Sequence, residues 1–222
     1  MPSRAYERAL EGAARVTLRR GDALWPSAID SLEDVDTLYV VGDPEAMSGE
    51  CLSVIGARRA TPYGLACARL AARVAAECGI TVVSGGALGC DQAAGREAIA
   101  LGGPTVVVSG CGADRCYPRS SDTLFADAVT HGGCVVALEH WGAPPRRYAF
   151  PRRNRVIAAL SRALVVCEAG MPSGTFSTAT CAAELGRLVY AVPGPIFSPN
   201  SRGTNWLIES GASVICDEQS LE

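Results

Sequence analysis

From Cys51 onward the chain alternates short β-branched runs with longer segments of helical periodicity, the pattern of parallel strands joined by crossover helices. Strands are expected at 52–55, 81–84, 105–108, 134–138, 164–167, 189–192 and 213–215. Helices are expected between them at 62–78, 91–101, 121–130, 153–160, 177–185 and 204–210. Right-handed crossovers wind such a sheet in both directions and leave its ligand crevice beyond the carboxyl ends of the strands. The first fifty residues break the pattern, with helical periodicity near 6–15, a Trp25-Pro26 pair and a Gly42-Asp43-Pro44 turn. They read as a short N-terminal helical and loop cap over 1–50, ahead of a Rossmann-like domain over 51–222. The expected fold is therefore α/β, a doubly wound and mainly parallel sheet of the extended Rossmann-like kind.

Composition supports that reading. Apolar residues make up 48% of the 222, charged residues only 19%, and mean hydropathy is +0.17, enough to cover a sheet on both faces with one core. No apolar run reaches the roughly 18–20 residues of a membrane span, and the N-terminus, with Arg4, Glu7 and Arg8, has no signal-peptide core. A cytoplasmic protein without membrane association is expected. The ten cysteines are scattered, and the closest pair, Cys111 and Cys116, has no second ligand pair at metal spacing. Buried structural thiols are expected, with neither disulfides nor a metal site.

Net charge is −3, which alone argues against a nucleic-acid binder. Distribution changes the picture. All 20 basic residues are arginine, as a GC-rich coding genome would also give, and six of them (Arg146, Arg147, Arg152, Arg153, Arg155, Arg162) lie between Glu139 and Glu168 with no acid among them.

The chemistry-bearing segments follow the expected strands. Gly56-Ala57-Arg58-Arg59-Ala60-Thr61-Pro62-Tyr63-Gly64 offers a close turn, a capping Thr61 and two arginines beside exposed amides, an anion site or else an ordinary turn with solvated arginines. Ser84-Gly85-Gly86-Ala87-Leu88-Gly89-Cys90-Asp91 permits close backbone approach, but fits neither the dinucleotide fingerprint nor the phosphate loop with its Lys. Arg115 with Tyr117-Pro118 offers a cation and an aromatic ring that meets a base or simply packs. Phe150-Pro151-Arg152-Arg153-Asn154-Arg155 puts guanidinium groups at a helix start. Ser173-Gly174-Thr175 forms a second helix-start phosphate cradle. Val192-Pro193-Gly194-Pro195 and the loop to Trp206 wall the site, with Trp206 equally placed for the core.

In this order and at these intervals, the segments at 56–64, 84–91, 150–155, 173–175 and 192–195 resemble the DNA-processing protein A (DprA/Smf) family, with the match running from about Trp25 to the C-terminus. The resemblance implies a single-stranded DNA-binding protein that forms a homodimer, protects incoming DNA and loads the RecA recombinase in natural transformation, without catalysis or cofactor. It implies DNA-backbone contacts from Arg58, Arg152 and Arg153, with Gly56 and residues 173–175 in the same pocket. With the neighbouring loop residues, the expected DNA-binding set is Gly56, Arg58, Arg59, Ser84, Gly85, Arg115, Arg152, Arg153, Asn154, Ser173, Gly174 and Thr175. Gly95 departs from the family, standing where many members have His. The chain is also short for the family's N-terminal helical domain and ends at Glu222, where many members continue into a winged-helix-like domain. The duplex-binding or regulatory roles of those parts are not expected to carry over.

Two alternatives use the same fold. A phosphoribohydrolase similar to the LOG family needs a carboxylate where this chain has Thr178, and a threonine hydroxyl is no general acid or base at neutral pH; Glu184 lies further along and is expected to face elsewhere. A nucleotide-binding sensor needs few charges, whereas the arginine run suits a strand passing several phosphates.

Overall fold

The computed structural model describes residues 4–221. Strands β1 (Arg15–Arg19), β2 (Thr37–Gly42), β3 (Cys51–Ile55), β4 (Thr81–Ser84), β5 (Thr105–Ser109), β6 (Cys134–Ala137), β7 (Ala163–Val166), β8 (Leu188–Ala191) and β9 (Ser213–Val214) form one sheet. Their spatial order is β1-β2-β6-β5-β4-β3-β7-β8-β9. All pairings from β6 to β9 are parallel, and β1 and β2 add an antiparallel edge beside β6. Helices are α1 (Ala5–Gly12), α2 (Pro62–Glu77), α3 (Cys90–Ala100), α4 (Asp122–Thr130), α5 (Ala149–Leu160), α6 (Thr175–Glu184) and α7 (Arg202–Glu209).

The side-chain alternation of each strand assigns the two faces. Val54, Val82 and Val165 pack with Ala68, Ala71, Ala72, Ala94 and Ala98 of α2 and α3, while Val41, Val107 and Val135 pack with Tyr6 of α1 and Phe125 of α4. Val83, Val106, Leu164 and Val166 face the other way, onto Ile157, Ala179 and Leu207 of α5, α6 and α7. Every residue of β4, β5 and β6 is buried, so these strands read as continuous apolar runs.

The first fifty residues differ from the expected cap. After α1 they supply β1 and β2, which join the same sheet. Only Leu18 of β1 is buried, so an edge strand of mostly polar residues gave no apolar signal. Helix α5 starts at Ala149 and not at 153, because Pro151 fits the first turn, where no backbone N–H is needed. This shift moves Arg152, Arg153 and Asn154 beyond the helix entry.

The cysteines are free; five are buried and only Cys78 and Cys216 are exposed. Burial pushes the Cys51 thiol up to about 12, and burial with the nearby Asp122 does the same for Cys116. Above the ordinary thiol value of 9.0 the unfolded chain loses these protons while the folded chain keeps them. Stability is therefore expected to fall as pH rises from about 9 toward 12, read as a falling Tm. At pH about 8, thiol alkylation should reach Cys78 and Cys216 before the buried five.

Candidate nucleic-acid interface

The sheet reverses its winding between β3 and β7, where Ile55 pairs in register with Val166. Loops leaving the two strands run apart over opposite faces and leave a crevice between them, the usual ligand position in such sheets. Here the crevice has a volume of about 540 Å³ and is lined by Gly56, Ala57 and Arg58 after β3, by Arg147, Phe150, Arg153 and Asn154 around the start of α5, and by residues 172–175 with Ser177 and Thr178 around the start of α6. Gly56 is required by close packing, since a Cβ there would sit 2.6 Å from Cys90 Sγ and 3.1 Å from the Glu168 carbonyl oxygen.

Buried carboxylates hold the loops in place. Glu168, 4% exposed at the end of β7, accepts hydrogen bonds from the Thr61 N–H at 2.8 Å and the Thr61 hydroxyl at 3.0 Å. Thr61 Oγ1 accepts in turn from the Gly64 N–H at 3.2 Å and caps α2. Replacing Glu168 with Gln turns one acceptor toward the Thr61 donors into a donor. A loss of about 3 kcal/mol is expected in denaturant unfolding. Asp91 accepts from the N–H groups of Gly85 (3.1 Å) and Ala87 (3.2 Å), fixing the glycine-rich loop beneath the crevice. Burial raises its pKa, and Arg153 and these amides oppose the rise.

Arg153 is the unusual group. It is only 6% exposed, yet its Nε has no hydrogen-bond partner among the described residues. Its guanidinium lies 5.8 Å from the centroid of the Phe150 ring. Burial pushes its pKa down to about 10, Asp91 pulls it up, and Arg58 pushes it down again. At neutral pH it therefore remains a cation, with a second cation close by and no acceptor for one of its donors. Such an arrangement is costly unless an anion completes it.

At the start of α6 the Ser173 hydroxyl accepts from the Thr175 N–H at 3.2 Å and donates to Thr175 Oγ1 at 3.0 Å. Asn154 reaches across from α5 to donate to Ser177 Oγ at 3.2 Å, joining the two helices that flank the crevice. The α6 N-terminus, its Thr175 and Phe176 amides already held by Ser173, thus points the positive end of its dipole into the same space as Arg58 and Arg153.

Of the expected set, Gly56, Arg58, Arg153, Asn154, Ser173, Gly174 and Thr175 line this crevice. Ser84 lies beneath it, 1% exposed, donating to the Val54 carbonyl at 2.7 Å. Gly85 packs against the Arg153 guanidinium. Arg59 is exposed on the same loop outside the lining residues. Arg115 lines a second cavity, of about 660 Å³. Arg152 turns to Glu139, at 3.1 Å, where the Tyr148 hydroxyl also donates. Trp206 stacks edge-on against Phe176, also outside the crevice lining.

The arginine run is less bare than it reads. Arg155 makes a two-pronged pair with Asp34 at 2.7 Å, and Arg162 reaches Glu50 at 3.4 Å, so acids distant in sequence neutralise half of the six. Arg147 and Phe150, absent from the expected set, line the crevice because α5 begins at Ala149 and brings them to its rim. Their signal was present in the arginine run itself. Among the described residues no group of three or more His, Cys, Asp or Glu could hold a metal ion, and no helix is long and apolar enough to cross a membrane.

Comparison with known proteins matches residues 16–222 to the family described as DNA recombination-mediator protein A. Protein Smf of Escherichia coli K12 is 37% identical over 196 residues, covering 88% of this chain and 52% of that protein. A putative DNA processing protein DprA of Mycobacterium tuberculosis is 44% identical over 164 residues, 73% of this chain and 42% of the relative. The chain thus spans about half the length of these curated relatives. Among solved structures, DNA processing protein A of Streptococcus pneumoniae superposes with a TM-score of 0.86 at 30% identity, covering 97% of this chain and 75% of that one. The Helicobacter pylori protein, whose structure is described in terms of its single-stranded DNA binding mode, gives 0.84 at 31%, covering 94% of both. A molybdenum cofactor binding protein from Rippkaea orientalis, at 18% identity and a TM-score of 0.55 over 77% of this chain and 91% of that one, shares the fold alone. The long family match, the level of identity and the two close superpositions together establish that the chain belongs to the DNA recombination-mediator protein A family.

Proposed function

We propose that this chain binds single-stranded DNA in the crevice between β3 and β7, a reading supported by the description of its Helicobacter pylori relative in terms of a single-stranded DNA binding mode. Backbone phosphates lie on Arg58, Arg147 and Arg153 near the positive end of the α6 dipole, and a base stacks at Phe150. The observation that carries the reading is Arg153, a buried cation facing the crevice with an unpartnered Nε. A phosphate in the crevice supplies this guanidinium with a counter-charge beside that of Asp91. Contacts to phosphates and ring faces carry little sequence preference. Duplex DNA is too wide a rod to enter between the two loops.

In the cell the chain acts as a cytoplasmic homodimer that protects incoming strands and loads the RecA recombinase during natural transformation. The family's description as a recombination mediator supports this role. Binding and not turnover is the activity, in keeping with a family of DNA-processing and DNA-binding proteins. At the hydrolase position stands Thr178, and the Asp91 carboxylate is occupied by loop amides.

The crevice volume also suits a mononucleotide, which keeps a nucleotide sensor as the second reading. Fluorescence anisotropy with a single strand, the matching duplex and competing mononucleotides over a salt series separates them. Preference for the single strand, with log affinity falling by about 0.7 per phosphate contact against log salt, supports DNA binding. Binding of the mononucleotide with none of the strand supports the sensor.

A further inference from the structure

We propose that the DNA strand continues from the crevice over Tyr117 into the second cavity, which serves as an extension subsite; the inference rests on the crevice being the DNA site. The second cavity, about 660 Å³, lies between α1 and the loop after β5. The two cavities meet at a pair of rings. Tyr117 lines the second, Phe150 lines the first, and their centroids are 5.7 Å apart at a tilt of 55°. Tyr117 is 44% exposed, so part of its side chain is accessible to a base. A ring of this kind is a stacking platform indifferent to base identity.

Charges in the second cavity divide into those already used and those left over. Each of its acids already has a partner within the chain. The Asp122 carboxylate accepts from the Ala5 N–H at 2.8 Å and the Tyr6 N–H at 3.3 Å, closing the start of α1. Asp114 accepts from the Gly142 N–H at 2.7 Å, and Glu7 pairs with Arg4 at 3.6 Å. The guanidinium groups of Arg115 and Arg119 are exposed and form no hydrogen bond or ion pair among the described residues. Two uncommitted cations flanking an open aromatic ring, one ring contact from the crevice, suit the phosphates on either side of a stacked base. The wall is stiff, because the Tyr6 hydroxyl donates to the Ala113 carbonyl and its ring packs edge-on against Phe125 at 5.3 Å.

The test compares the unaltered chain with Arg115→Ser plus Arg119→Ser on single strands of about 5 and about 20 nucleotides. The altered chain should bind the short strand normally and the long one about tenfold more weakly, with its salt slope reduced by about 1.4. Equal losses at both lengths, or none at the long one, overturn the extension. Absence of short-strand binding by the unaltered chain overturns the crevice reading first and the extension with it. A photoreactive halogenated pyrimidine placed at each strand position in turn reads the path without any substitution. An adduct on Tyr117 from positions outside the short-strand footprint supports the path, and adducts confined to crevice residues count against it.

Discussion

Reversing the charge of Arg58 and Arg147 together lowers the affinity for a single strand by at least about 100-fold at about 0.1 M salt, with Tm almost unchanged. Both side chains are exposed at the crevice, and among the described residues neither guanidinium makes a hydrogen bond or ion pair whose loss could disturb the fold. Each substitution removes a phosphate contact and adds a repulsion, so the affinity falls and its salt dependence flattens. Arg152→Glu provides the contrast. Its partner is Glu139, 9% exposed, so the new carboxylate faces an old one and the damage appears in thermal unfolding. Anisotropy and thermal unfolding on the two variants separate a DNA contact from a structural ion pair. Strong binding by the Arg58→Glu, Arg147→Glu chain would place the strand elsewhere.

The largest expected stability effect is at Gly89, which closes the loop between β4 and α3. Its φ of 83° and ψ of −124° belong to a region that side chains rarely enter, and a Cβ there would overlap the carbonyl oxygen of Ala57. Backbone strain of about 1–3 kcal/mol adds to the displacement of the Gly56–Arg58 turn, so Gly89→Ala should cost about 4 kcal/mol or more in denaturant unfolding. Because the displaced oxygen belongs to the residue beside Arg58, whatever folds should also bind DNA less tightly. A stable variant with normal binding would show that this loop has slack the packing does not suggest.

The parallel core was legible because buried parallel strands are uninterrupted apolar runs, and Val106, Val107 and Val108 or Cys134, Val135 and Val136 announce themselves. Strand β1 was not, since Arg15, Thr17 and Arg19 are exposed and only the antiparallel pairing with β2 makes a strand of it; β2 does carry a buried apolar run, Leu38, Val40 and Val41, which the expectation of a helical and loop cap passed over. At the site, residues tied to a turn or a helix start were readable: Gly56, Arg58 and residues 173–175 all line the crevice. Longer-range partners were not. Nothing near Arg152 or Arg155 in sequence discloses Glu139 or Asp34, which neutralise them, and nothing near Glu168 discloses the amide of Thr61. One helix start, expected at 153 and found four residues earlier at Ala149, left Arg147 and Phe150 out of the expected set although both stand in segments the sequence singled out.

The register that joins Ile55 to Val166 also decides when the crevice exists during folding. Strands β3 and β7 are nearest neighbours in the sheet but are separated in the chain by three strands and four helices, so the ends that make the crevice meet only after a long loop has closed. Partly folded chains that contain either half alone have no complete crevice to offer. A bound strand would then span both halves and hold closed the seam on which they join, so its protection should be felt as slower hydrogen exchange along β3 and β7, well below the surface the DNA touches.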